Sequence, residues 1–150
     1  FYFLRGDTDK TFIILLWILL STIFSDTGGY IFGNIFKGKK ITKISPNKTY
    51  SGALGSIIFA NLSLPIINFS QDFLFNNITI NYLQFKFIII TILISIVCQL
   101  GDLIVSFLKR KIKIKDISNI LPGHGGVLDR IDGLIFVLIF CFLLKLFGKI

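Results

Sequence analysis

Apolar residues fall along the chain in four blocks, roughly Thr11 to Phe24, Ser51 to Ile67, Phe85 to Leu108 and Gly133 to Phe147, separated by polar stretches. A helix needs about 20 apolar residues to cross a bilayer, and only the third block meets that comfortably. The first and last approach it only by taking in the polar residues beside them, which brings Asp26 and Asp132 close to membrane level. Within the third block Ser95, Gln99, Asp102 and Ser106 follow one another at steps of four, three and four. They therefore share one face of a helix, and Lys109 and Arg110 continue that face past its end. The pattern predicts an all-α fold, a polytopic transmembrane helix bundle with cytoplasmic polar loops, built as a single transmembrane domain over residues 1–150.

Composition agrees with a bilayer setting, since 53% of the 150 residues are hydrophobic and the mean hydropathy is +0.80. The net charge of +8 could suggest nucleic acid. Its distribution excludes that partner, because the cations fall in two blocks between apolar segments: Lys37, Lys39, Lys40, Lys43 and Lys48, then Lys109, Arg110, Lys111, Lys113 and Lys115. The stretch from Asn68 to Gln84 carries Asp72 and neither Lys nor Arg. Loops rich in Lys and Arg stay on the cytoplasmic side, so both basic loops are expected there and both chain ends outside. Cys98 and Cys141 sit in apolar blocks without metal-ligand spacing and read as inert packing residues. The chain has no Met and begins at Phe1, which reads as a piece of a longer protein, and no cleavable signal pattern opens it.

Chemistry concentrates between the blocks. In Ser25-Asp26-Thr27-Gly28-Gly29-Tyr30 the glycines are expected to end the first helix and let backbone approach a ligand. Asp26 at that level reads as functional, the alternative being a solvated helix-end residue. From Ile31 to Gly52 a cytoplasmic loop of lysines and glycines suits a phosphate-bearing ligand, or else anionic lipid headgroups. The second block, with Gly52, Ala53, Gly55 and Ser56, reads as a close-packing span, and the Asn- and aromatic-rich Phe69 to Tyr82 as an outer loop with residues at headgroup level and without chemistry. Asp102 lies about 10 Å inward of Lys109, where a charge costs about 2.5–3.5 kcal/mol. It is expected to face a polar cavity holding a cation, or to pair with an arginine. After a Pro122-Gly123-His124-Gly125-Gly126 turn, Asp129 and Asp132 stand three apart at the start of the last helix. Such carboxylates suit Mg²⁺, which takes one or two of them and completes its shell with water and substrate phosphate, or they simply suit the helix macrodipole. His124 reads equally as a turn residue or a proton-transfer group.

Ser106-x-x-Lys109-Arg110, then Lys115-Asp116, then Pro122-x-His124-Gly125-Gly126-x-x-Asp129-Arg130-x-Asp132 resembles the signature of the phosphatidate cytidylyltransferase, or CDP-diacylglycerol synthase, family. The Ser25 to Tyr30 block and Ser45-Pro46-Asn47-Lys48-Thr49 also resemble it, so the likeness covers most of Ser25 to Gly133. Two departures stand out. Members usually have an acidic residue where this chain has Ser51, and they carry further amino-terminal membrane helices, so the chain corresponds to a carboxy-terminal part.

The resemblance implies a catalytic domain that transfers CMP from CTP to phosphatidic acid, giving CDP-diacylglycerol and pyrophosphate in phospholipid biosynthesis. It implies Mg²⁺ with a second, monovalent cation, a homodimer, and a bacterial inner membrane location with the site facing the cytoplasm. Asp102, Asp129 and Lys48 become the catalytic set, with Asp26 and Asp132 joining Asp102 and Asp129 as metal ligands. Lys48, Lys109, Arg110 and Arg130 take phosphate, Ser106 assists in substrate binding, and His124, Gly125 and Gly126 shape the loop. The alternatives are a CTP-dependent lipid kinase of the dolichol or phytol kinase kind, and a cation transporter, which would need a polar path to the outer face. The polar stripe fades before the outer half of the third block.

Overall fold

The computed structural model describes residues 9–42, 45, 48–74, 80–112 and 128–148, with side chains for all of these except 72–74 and 128–131. The fold is all-α, as the apolar pattern predicts. In chain order the helices are α1 (Asp9–Phe36), α2 (Tyr50–Asn61), α3 (Ser63–Leu74), α4 (Phe85–Lys111) and α5 (Leu128–Leu146). Among the described residues three stretches are long and apolar enough to cross a membrane: α1, α2 with most of α3 (Tyr50–Gln71), and α4. The most extensive packing is α1 along α2, followed by α5 on α4, with α4 also meeting α1 and α2.

The first helix departs from expectation. It does not stop at the Gly28-Gly29 pair but runs 28 residues to Phe36, taking in residues expected in the loop. The glycines serve a helix crossing instead. A Cβ on Gly28 would stand 2.6 Å from the Gly55 carbonyl oxygen, one on Gly29 would stand 2.5 Å from Ser56 Oγ, and one on Gly52 would stand 2.8 Å from the Gly29 carbonyl oxygen. Without a hydrophobic effect between helices in lipid, such backbone approach is a principal source of their association. The helix ends where Lys37 turns to φ 41° and its N–H bonds the Gly33 carbonyl at 3.2 Å.

The second apolar block also differs, being broken at Leu62 and then helical to Leu74, through part of the expected outer loop. Pro65 accounts for the break: it has no N–H for the carbonyl of Asn61, and its ring crowds that carbonyl. Pro65 instead sits in the first turn of α3, where a missing donor costs nothing.

The core gathers Ile13, Trp17, Ile18, Ile67, Tyr82, Ile94, Cys98, Val137 and Cys141, all fully or nearly fully buried. Tyr82, expected in an outer loop at headgroup level, is therefore a core residue. Its ring lies 5.9 Å from that of Trp17 and 4.9 Å from that of Phe87. Between helices several buried polar groups bond one another. Trp17 Nε1 donates to Thr91 Oγ1 at 3.2 Å, and Ser21 with Ser63 and Ser25 with Ser95 share hydroxyl bonds of 2.8 Å each.

Candidate active site

One turn beyond the Ser25–Ser95 bond the interior changes from neutral to charged. Asp26 of α1, Asp102 and Lys109 of α4, Asp132 of α5 and Lys48 of the segment before α2 all line a cavity of about 370 Å³. Thr49, Ser56, Gln99 and Ser106 add neutral polar lining. Among the described side chains, three carboxylates thus face two ammonium groups across one space.

Each group arrives by a traceable local device. Asp102 and Ser106 come from the polar stripe of α4, and Gln99 of that stripe donates to the Ala53 carbonyl at 3.4 Å and to Ser95 Oγ at 3.3 Å. Asp132 is brought in because α5 lies almost on the backbone of α4. A Cβ on Gly133 would stand 2.7 Å from both Asp102 Oδ1 and Cys98 Sγ, and one on Gly101 would stand 2.8 Å from the Phe136 ring. Lys48 comes from a hairpin joining α1 to α2, made by an antiparallel bridge between Lys40 and Thr49. Its rungs are Ile41 N–H to the Lys48 carbonyl at 2.9 Å and Tyr50 N–H to the Lys39 carbonyl at 3.0 Å. Thr49 caps α2, its hydroxyl accepting from Gly52 N–H at 3.1 Å.

The charges are paired across elements. Lys48 Nζ lies 3.0 Å from Asp102 Oδ2 and donates also to the Gln99 carbonyl at 3.4 Å. Lys109 Nζ lies 2.6 Å from Asp132 Oδ2, with only 12% and 11% of the two side chains exposed against 27% and 32% in the first pair. The deeper pair is accordingly the more expensive to break from one side, at about 3–5 kcal/mol for a buried charge left alone. Among the described side chains Asp102 therefore does pair, but with a lysine from another element and not with an arginine. Cys98, expected to be inert packing, donates its thiol to Asp26 Oδ1 at 3.4 Å while remaining fully buried.

The site residues read from the sequence divide into three groups. Asp26, Lys48, Asp102, Ser106, Lys109 and Asp132 are brought together. Arg110 is exposed at the end of α4 and is not among the cavity residues. The side chains of Asp129 and Arg130 lie outside the described residues, as do His124, Gly125 and Gly126. Cys98, outside the site residues expected from the sequence, carries a readable signal: it stands three after Ser95 and four before Asp102, on the same helix face. Ser56 was read as a packing residue and also lines the cavity.

Three apolar spans around a cavity of paired carboxylates and lysines define an integral membrane protein with a charged site sunk into its helix bundle. Residues 1–147 match the model of the Cytidylyltransferase family, and the chain belongs to that family. Curated relatives named phosphatidate cytidylyltransferase include those of Rickettsia conorii, 39% identical over 94% of this chain and 60% of the relative, and Staphylococcus haemolyticus, 44% identical over 91% and 50%. That of Bacillus subtilis is 42% identical over 83% of this chain and 44% of its own length. The chain spans about half the length of the curated relatives it matches.

Proposed function

We propose that the chain is the site-bearing part of a phosphatidate cytidylyltransferase. The observation that carries this reading is the pair of lysine–aspartate bridges walling one cavity, in a chain whose relatives are named for that activity. In the reaction an oxygen of the lipid phosphate attacks the α-phosphorus of CTP. The bond to the β-phosphate oxygen breaks, and pyrophosphate leaves with its electron pair. The nucleophile is already anionic, so the protein's work is to hold two anions in line and offset their charge.

Lys48 and Lys109 supply that offset. Each is held at the cavity by its aspartate and exchanges it for a phosphate oxygen when the nucleotide enters. The aspartates so released are where a divalent cation would go. Among the described residues no group of three or more His, Cys, Asp or Glu stands ready as a metal cage. Asp26, Asp102 and Asp132 around one space nevertheless fit Mg²⁺, which needs only one or two carboxylates when water and phosphate complete its shell. Bound there, Mg²⁺ would neutralise charge on the triphosphate. Asp129 joins this set by its position in the first turn of α5, and Arg130 joins the phosphate-binding cations.

The orientation proposed has the lysine-bearing hairpin and the α4–α5 connection on the cytoplasmic side of a bacterial inner membrane, supported by the cation distribution and the bacterial relatives. A homodimer and a second, monovalent cation complete the proposal on family likeness alone. The test is product analysis with the full-length protein, phosphatidic acid and Mg²⁺. Label in the α-phosphate of CTP should enter the lipid, and γ-label should leave as pyrophosphate. Label from the γ-position in the lipid would overturn the reading in favour of a lipid kinase.

A further inference from the structure

Ser51 does not line the cavity, yet its hydroxyl joins the two strands of the hairpin that carries Lys48. It accepts from the Gly38 N–H at 3.3 Å and shares a hydrogen bond of 3.1 Å with Thr49 Oγ1. Thr49 is both the residue after Lys48 and the cap of α2. One hydroxyl therefore ties together the exit of α1, the strand bearing Lys48 and the first turn of α2. Beyond that clasp, among the described residues, the segment is held by backbone bonds from the Ile41, Lys48 and Tyr50 N–H groups, by the Ser45 N–H on Thr42 Oγ1 and, across the cavity, by Lys48 itself on Asp102 and the Gln99 carbonyl. Gly38 is fitted to the clasp from the other side, where a Cβ would stand 2.8 Å from Ser51 Oγ and 3.2 Å from Ser51 Cβ.

We infer that Ser51, with Gly38, is a positioning residue for Lys48: the clasp fixes the hairpin so that the Lys48 ammonium is delivered at Asp102 and, in turn, at the nucleotide phosphates. The inference rests on the CTP-binding reading of the cavity only in its last clause. An intrahelical structural role would not connect Ser51 to ligand affinity. A clasp acting through Lys48 does, and it predicts that the effects of Ser51 and Lys48 substitutions fail to add.

The experiment uses the full-length protein in membranes. In a Lys48→Cys background, the rate of labelling by a small impermeant thiol reagent reports where the strand sits, Cys98 and Cys141 being fully buried. Ser51→Ala and Gly38→Ala should each speed that labelling about threefold to tenfold, the range that one hydrogen bond commands. With the native Lys48, both variants should raise the KM for CTP by a similar factor and leave kcat within about twofold. In a Lys48→Gln background neither should weaken CTP binding further. Equal labelling rates in parent and variants, or additive losses with Lys48→Gln, would overturn the inference. If the parent protein turns over no CTP with phosphatidic acid, it is the proposed function that fails, and the labelling rates still decide the clasp.

Discussion

Helices α1 and α4 run side by side through two regions that solve the same problem differently. At one end Trp17, Thr91, Tyr82 and Phe87 close on each other with neutral groups: an indole hydrogen bond to Thr91 at 3.2 Å and an edge-to-face contact of Trp17 and Phe87 at 5.3 Å. At the other end Asp26, Lys48, Asp102, Lys109 and Asp132 close on each other with charge. The hydroxyl pairs Ser21–Ser63 and Ser25–Ser95 lie between, fully buried, and extend the polar face further than the α4 stripe alone suggested. The difference is one of exchangeability. Neutral partners packed without space have nothing to give to a ligand, whereas ion pairs beside a cavity can trade each half for a counter-charge brought from outside.

Each end can be perturbed without the other. The largest effect expected is from Trp17→Ala, which empties the aromatic end and should cost about 3–5 kcal/mol of stability. Thermal unfolding in detergent checks this, and the fraction that remains folded should keep near-parental turnover. Asp102→Asn acts at the charged end and should show the reverse, with turnover lowered about a hundredfold and the unfolding temperature little changed. If either substitution moved both readouts together, the two regions would not be separable.

The smallest effect is expected of Tyr82→Phe, at the neutral end. Burial pushes the Tyr82 phenol up to about 12, so it stays neutral at any physiological pH, and its oxygen has no hydrogen-bond partner among the described residues. Deleting a buried hydroxyl that is not bonded should be neutral or stabilising by up to about 1 kcal/mol. Unfolding midpoints of the two proteins check this, and a loss of stability would reveal a partner for the oxygen.

How far each region was legible in the sequence follows from the same contrast. The charged end could be read because ionisable residues among apolar ones stand out, and because the α4 stripe has a helical period: Asp26, Asp102, Ser106, Lys109 and Asp132 stand out this way, whereas Lys48 is singled out from a loop of lysines only by the family resemblance. Their pairing could not be read. Which lysine meets which aspartate depends on how closely the helices approach, and that is set by Gly101, Gly133 and the Lys40–Thr49 bridge, none of which has a distinctive one-dimensional pattern. The glycines of α1 were misread for a related reason. Gly28-Gly29 looks the same whether it ends a helix or opens a groove for Gly52, Gly55 and Ser56, and only the neighbouring helix decides. Tyr82 was misplaced because aromatic residues near Asn-rich stretches fit a headgroup belt as well as a core.

On the proposed reading the aspartates hold the lysines in place until a phosphate ligand takes them over. The decisive measurement is binding of pyrophosphate, without divalent metal, to the full-length protein, comparing the parent with Asp102→Asn and Asp26→Asn. Freed from its partner at 3.0 Å, Lys48 should bind the anion about fivefold to tenfold more tightly in Asp102→Asn, a gain in the range of one charge-assisted hydrogen bond. Asp26→Asn, which removes the same charge from the cavity wall without releasing that lysine, should gain less. Equal or weaker pyrophosphate binding by Asp102→Asn than by the parent would contradict the account.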